Sequence, residues 1–506
     1  MRNRYLFASA AILVLIISPY LIAQTLTGSG TIFGGFLFNP LDGNTYLAKM
    51  QEGWQGAWRF QLPYSAQPNP GAYLFLFYLF LGHLSRWLSL SPILVFHLAR
   101  VLSAGLLLAA MKVFFTNIFK DRPKVAFWAF LFAGMGSGLG WLVALEGGFT
   151  SDFWVAEAYP FLAMYSSPHF SLALAIMLWF LARDGRPFQR KHIPWLALAG
   201  LALGIVLPFA VVVTIVVVFG VSLYDFLTKK TIQWQTPLVF LFTGGLAILY
   251  QFIVIRTDPI LVIWDAQNQT PSPAIWDFLI SFMPLLVLAI WGIVQSFRSR
   301  NRPVILLSGW LILGLLLIYL PFNLQRRFML GYMIPVAGLA AFGLAELKTR
   351  RKKWIGIAAI GLTLPTLGII LLGGVLSVKN GEPSMLIRVA EMDVYRYLAQ
   401  NSQADDIVLA SPESGLFIPA YTGRRVIYGH PFETVNAPAE KTAVEGFFEN
   451  SMNAGDLAWA RARGVKWILW GPREDAYGVL PVNLPAGMVL VYQEDGVKLF
   501  ELQAGP

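Results

Sequence analysis

No cysteine occurs anywhere in the chain. A disulfide framework and a thiolate metal site are therefore excluded, and the redox compartment leaves no mark on the sequence. Charge is scarce as well, at 13% of residues, about half of the roughly 25% usual in soluble domains. There is no internal repeat and no low-complexity linker. What fills the 506 residues instead is apolar side chain, 56% of the total. It is gathered into runs of about 18 residues or more, the length that crosses ~30 Å of hydrocarbon. These runs predict a polytopic helical membrane protein.

The formal charge of +10 suggests nucleic acid until its distribution is read. From Val378 onward there are 11 Lys/Arg and 16 Asp/Glu; the 27 Lys/Arg and 12 Asp/Glu before it carry the excess. The sign change marks a boundary, with a membrane domain over 1–377 and a water-soluble domain over 378–506. The basic residues sit in short loops between apolar runs, as the positive-inside rule places them, so membrane lipid and not nucleic acid is their partner.

Eleven spans are expected: 5–26, 91–118, 125–145, 168–182, 194–207, 209–227, 237–255, 274–296, 303–321, 331–346 and 355–377. The first reads as an uncleaved helix, since no small-x-small cleavage site follows it. Ala72–Leu88 is apolar enough to cross, but a crossing there would turn the basic loops outward. Laid along the surface within a long outward loop, 27–90, it leaves nineteen Lys/Arg inside, among them Arg2 and Arg4, against about six outside. The stretch Pro194–Leu227 predicts a tight hairpin at Leu207-Pro208-Phe209, because proline ends a helix at the residue before it. The N-terminus is then cytoplasmic and the tail extracytoplasmic. In the tail, helices are expected over 385–400, 440–448 and 456–463, with strands over 407–410, 425–428, 466–470, 488–493 and 497–501, which makes a small α/β domain.

Polar residues at the rim of a bundle are the functional candidates. The first outward loop reads Phe38-Asn-Pro-Leu-Asp42-Gly-Asn-Thr-Tyr46-Leu-Ala-Lys49-Met-Gln-Glu52-Gly53-Trp54. Asp42 opens an amphipathic helix, and Tyr46 and Lys49 follow at i+4 and i+7 on its face. A carboxylate, a phenol and an ammonium so placed can take a proton from a hydroxyl or help hold a cation. The plainer readings are that Asp42 is the helix N-cap and that Lys49 snorkels to lipid headgroups.

The order of these features resembles the GT-C superfamily of membrane glycosyltransferases, notably the protein O-mannosyltransferase and aminoarabinose transferase branch. It runs from a first helix to an outward Asp42, Tyr46 four residues on, a Gly53-Trp54 turn and the Pro68/Pro70 pair. An aromatic surface helix and a span carrying Leu98-Ala99-Arg100-Val101-Leu102-Ser103-Ala104 follow. The likeness is good over about residues 1–120 and architectural beyond. It implies a sugar donor linked to polyprenyl phosphate, a glycan, lipid or protein acceptor at the outer face of the cell membrane, and transfer with inversion. Asp42 matches the family's first-loop acidic residue, catalytic base or metal-associated carboxylate. The only cofactor this permits is a divalent cation, Mg or Mn, at Asp42. Two departures stand out. Gly43 follows Asp42 where many members have a second acid, and Gln67-Pro68-Asn69-Pro70 stands where many carry a Glu-Lys pair.

A second carboxylate is available in the next outward loop, from Glu157 or Asp152, and His169 stands at the outer end of a span to meet a phosphate or an acceptor. The run Phe322-Asn-Leu-Gln-Arg326-Arg327-Phe328 breaks the positive-inside pattern. Arginine binds phosphate bidentately, so Arg326 and Arg327 suit the departing lipid phosphate. Their plain reading is headgroup binding. His97 and Arg100, three apart, read as a buried structural pair. Gly134/Gly136/Gly138/Gly140 follow no strand and read as a helix-packing face. Arg256, Asp258, Asp265 and His430/Glu433 fall on the acceptor side with little else to support them. Two alternatives remain. A lipid or glycan transporter or flippase predicts paired helix breaks and two-fold hydropathy symmetry. An inactive GT-C-like scaffold predicts donor binding without transfer.

Overall fold

A computed structural model describes residues 2–67, 69–230, 233–450 and 452–503. Pro68 of the proline pair, the side chain of Arg2 and the last three residues of the tail lie outside these. The chain is a polytopic helical membrane protein with a sheet-containing C-terminal region. In lipid every backbone polar group must bond within its own segment, so each long apolar run becomes a helix.

All eleven expected segments are helical, but fewer are long enough to cross alone. Among the described residues seven helices pass by length and composition: Asn3–Thr25, Pro92–Ile118, Pro123–Ala144, Pro208–Lys229, Gln235–Thr257, Gln325–Glu346 and Lys352–Lys379. The segment expected over 274–296 is broken into Ile275–Phe282 and Leu285–Ser299, bent by 87°, and counts as an eighth if the pair is one span. Pro284 stands at the break, where it removes a donor and clashes with the preceding turn. Pro168–Leu181 and Arg302–Ile318 are shorter apolar helices. The hairpin turns where expected, with Leu207 extended between Ile193–Val206 and Pro208–Lys229. Ala72–Leu88 becomes the 13-residue helix Leu76–Leu88, about 20 Å long at ~1.5 Å per residue and so too short to span.

By contact the chain divides into two units. The first takes Met1–Leu21, His97–Tyr250 and Gln269–Val375; the second takes Ile22–Phe96, Gln251–Asn268 and Leu376–Pro506. In the first, Met333–Glu346 is buried nearly throughout and packs on Leu285–Ser299 through glycine. A Cβ on Gly292 would lie 2.2 Å from the Leu339 carbonyl oxygen, and one on Gly343 2.2 Å from that of Leu288. His97 and Arg100 are the structural pair expected. The Arg100 Nε donates to His97 Nδ1 at 3.3 Å, and its Nη1 donates to the carbonyls of Ile16, Met164 and Tyr165.

In the second unit, β1 (Thr31–Phe33) from the first loop pairs antiparallel with β2 (Leu386–Arg388) from the tail, in register Ile32 to Ile387. Five further strands form a mixed sheet: β3 (Ile407–Leu409), β4 (Arg425–Val426), β5 (Val465–Trp470), β6 (Met488–Glu494) and β7 (Val497–Leu502), in the order β4-β3-β5-β7-β6. β3 is parallel to β4 and β5, while β7 is antiparallel to β5 and β6. Alternate residues face opposite sides, as strand geometry requires. Val408, Trp467, Leu469, Val497 and Leu499 pack under Val389–Asn401 and Pro412–Thr422. Ile407, Leu409, Ile468, Trp470 and Phe500 pack under Ala437–Glu449 and Ala454–Ala462. Both faces of the sheet are thus covered by helix.

Candidate functional site

The helix Pro40–Gln55 carries most of the expected first-loop residues, and its start differs from the expectation. Its N-cap is Asn39, held in the left-handed region at φ 46°, and Asn39 Oδ1 accepts from the Asp42 backbone N–H. Asp42 is one turn in. Its Oδ2 accepts from Asn39 Nδ2 at 2.6 Å, so the two side chains are tied to each other. The N-cap role therefore falls to asparagine, and the Asp42 side chain stays 42% exposed. Gly43 has a steric reason: a Cβ there would stand 2.3 Å from the Phe36 ring, so no second acid fits after Asp42. The helix is seated on Leu76–Leu88 by two glycines. A Cβ on Gly53 would lie 2.1 Å from the Leu79 carbonyl oxygen, and one on Gly82 2.0 Å from that of Met50.

Facing this helix is the tail loop Gly429–Asn436. His430 is 2% exposed, and its Nε2 lies 3.7 Å from Asp42 Oδ1. Its Nδ1 accepts the backbone N–H groups of both Phe432 and Glu433 at 3.1 Å. Gln267, at the end of Pro259–Gln267, pins the loop by donating to the Thr434 carbonyl at 2.6 Å and accepting from the Asn436 N–H. Asp258 caps that same helix through the N–H groups of Ile260 and Leu261.

Lys49 does not snorkel to headgroups. It is 1% exposed, and its Nζ donates to Glu433 Oε1 at 2.7 Å. The ammonium lies 4.5 Å from the Phe75 ring centroid and 5.3 Å from that of Phe60. A charge so enclosed needs its counterion, since desolvating it alone is costly. Burial pushes the nearby Glu52 carboxyl up to about 8, the Glu433 charge adds to this, and the Gln61 N–H and Lys49 work against it. This shift favours the neutral carboxyl of Glu52 beside the Lys49–Glu433 pair. Tyr46 stacks on Tyr78 with centroids 4.5 Å apart and planes 7° from parallel.

The first unit holds the other candidates. Glu157 is buried, with its Oε1 3.4 Å from Arg327 Nη1 and 3.9 Å from Arg326 Nε. The Arg326 guanidinium also covers Trp154 at 4.6 Å. Two guanidiniums against one carboxylate leave this trio net positive. His169 is buried in the first turn of Pro168–Leu181, its ring against Phe170 at 3.9 Å. Asp152, the other acid of this loop, is committed elsewhere. It accepts from the Gly138 and Gly140 N–H groups and from the hydroxyls of Thr150 and Thr366. Part of the glycine run is thus a backbone cradle for a structural carboxylate. Asp277, which no sequence signal marks, does the same for Ser151.

A resident cation at Asp42 finds no donor set. Among the described residues no three His, Asp or Glu side chains are grouped to hold a metal ion. The one lone pair that His430 offers, on Nδ1, is already taken by two backbone N–H groups. These residues do not fit a divalent ion.

No protein-family model and no curated protein sequence matches the chain. Solved structures do. The apo oligosaccharyltransferase of Archaeoglobus fulgidus aligns with a TM-score of 0.53 at 11% identity, over 92% of this chain and 69% of that one. ArnT from Cupriavidus metallidurans bound to undecaprenyl phosphate aligns at 0.50 and 13% identity, over 98% of this chain and 99% of that one. The arabinofuranosyltransferase AftD from Mycobacteria aligns at 0.51 and 13% identity, over 100% of this chain and 40% of that one. All three belong to the GT-C superfamily. At such identities the likeness is one of fold, and it is the fold that the first-loop resemblance implies.

Proposed function

We propose that this chain is a membrane glycosyltransferase that moves a sugar from a polyprenyl-phosphate carrier to an acceptor on the outer face of the membrane. What supports the reading most is a fold shared along nearly the whole chain with a transferase that binds undecaprenyl phosphate. The half-exposed Asp42 carboxylate adds to it. In this reading 1–377 is the membrane domain and 378–506 an extracytoplasmic domain, with the N-terminus cytoplasmic.

Asp42 takes the proton from the acceptor's nucleophilic group, which attacks the sugar C1 as the bond from C1 to the phosphate oxygen breaks. The electron pair leaves with the lipid phosphate, and a single displacement inverts C1. Arg326 and Arg327 are the guanidiniums whose geometry suits the lipid phosphate. Glu157, engaged with both arginines, fixes them in place in this scheme. Tyr46 and His169 are the further candidates for contact with donor or acceptor. Lys49, buried against Glu433, supports the helix that carries Asp42.

The test is turnover in nanodiscs. Wild type is offered a panel of radiolabelled undecaprenyl-phospho-monosaccharides with envelope extract as acceptor, and lipid phosphate release is measured. Removing a general base costs about 10²- to 10⁴-fold, so Asp42→Asn should abolish release at unchanged membrane abundance. Wild-type turnover by Asp42→Asn would sink the assignment.

A further inference from the structure

Resting on that reading, we propose that His430, in the tail, is a positioning residue for Asp42: it presents a fixed N–H to Oδ1 while Asn39 holds Oδ2. His430 Nδ1 accepts two backbone N–H groups, from Phe432 and Glu433, each at 3.1 Å. A nitrogen that accepts carries no hydrogen, so the hydrogen is on Nε2. That Nε2 is buried and has no hydrogen-bond partner among the described residues. A buried N–H is rarely left so without a reason. The carboxylate oxygen it faces is Asp42 Oδ1 at 3.7 Å, a few tenths of an ångström beyond a hydrogen bond. Such contacts are often long in the empty site and tighten when substrate binds.

The surroundings are built for one orientation. The loop that carries His430 is held by Gln267 at Thr434 and Asn436. The Thr434 hydroxyl accepts from the His430 backbone N–H at 3.3 Å. Gly415 and Gly429 let the backbones meet, since a Cβ on Gly415 would lie 2.1 Å from the Tyr428 carbonyl oxygen. On the opposite side, Asn39 donates to Asp42 Oδ2 at 2.6 Å. The carboxylate is thus bracketed by a donor on each oxygen, one from its own N-cap and one from the far end of the chain. Because Nε2 is buried, His430 acts on the reaction only through Asp42.

Two substitutions separate the ring's two jobs. Asparagine at 430 keeps an acceptor where Nδ1 stands, so the loop's N–H groups stay satisfied in an Asx-turn manner, but it removes the donor toward Asp42. Glutamine reaches as far as Nε2 and restores that donor. With the donor panel above, His430→Asn should lower kcat about 10- to 100-fold, the cost of a misaligned reacting group, with KM within about twofold of wild type. His430→Gln should recover most of that loss. Wild-type kcat in His430→Asn beside an inactive Asp42→Asn overturns the positioning role alone. A His430→Gln enzyme as slow as His430→Asn, or a variant that changes only abundance, assigns the ring to loop structure and also overturns it. An active Asp42→Asn removes the proposed function itself, so the two failures are distinguishable.

Discussion

Gly82 offers the sharpest test of how the first-loop helix is held. A Cβ on Gly82 would lie 2.0 Å from the Met50 carbonyl oxygen and 2.9 Å from the Trp54 backbone nitrogen, and one on Gly53 would lie 2.1 Å from the Leu79 carbonyl oxygen. Ordinary carbon contacts sit near ~3.5 Å or more, so each alanine overlaps backbone by well over an ångström. Backbone cannot rotate aside as a side chain can. Pro40–Gln55 and Leu76–Leu88 must part, and the buried Leu47, Met50, Leu79 and Leu81 lose contact. Overpacking of this kind costs about 1–3 kcal/mol, and a forced separation of backbones belongs at the upper end. Gly105 in Pro92–Ile118 is the control, since its Cβ would meet nothing within 4 Å. Helical Gly→Ala there should stabilise by about 0.5–1 kcal/mol. Thermal unfolding in detergent, followed by tryptophan fluorescence, should therefore lower the midpoint for Gly82→Ala and Gly53→Ala while Gly105→Ala stays level or rises. A midpoint for Gly82→Ala at or above wild type would falsify the close-packing argument.

Two more outcomes follow from the buried charges. Lys49→Met leaves Glu433 without its cation, and Glu433→Gln leaves Lys49 without its anion. Each should destabilise by about 3–5 kcal/mol, while the double replacement Lys49→Met/Glu433→Leu should recover much of that loss, read by the same unfolding assay. For Glu52 the folded carboxyl titrates near 8, above its unfolded value near ~4.3. The folded state therefore binds more protons between those values, and stability is full below the lower one and falls as pH rises through the upper. Glu52→Gln should flatten that slope between pH 5 and 8, and an unchanged slope would assign it to another group.

The apolar spans were legible because each run is long and nearly free of charge, and the tail strands because β5 and β7 alternate core faces. What escaped the sequence did so for local or long-range reasons. The broken segment at Pro284 looks continuous in hydropathy, since its 87° bend leaves composition unchanged. The helix Pro412–Thr422 escapes the hydrophobic pattern although its start is conventional: Ser411 caps it through the Ser414 N–H, and Pro412 occupies its first turn. At Asp42, periodicity identifies the face but cannot say which of Asn39 and Asp42 is the cap. For Lys49 it identifies the register but not the partner, because Glu433 lies 384 residues away. The sequence marks His430 only as a residue of the acceptor side. Its service to Asp42 depends on which ring nitrogen is occupied, and no sequence pattern states that.

The distance between Lys49 and Glu433 also sets a timetable. At about 5–20 residues per second, a ribosome reaches Glu433 roughly 20 to 80 s after Lys49. For that interval the nascent loop holds a cation with no counterion and a strand, β1, with no β2 to pair with. The unit closes only when the last quarter of the chain has been made and delivered to the same side. A message cut short after the final span therefore yields membrane helices and a first loop without its partners in the tail. Such a product leaves the Lys49 ammonium unpaired and the edge of β1 open.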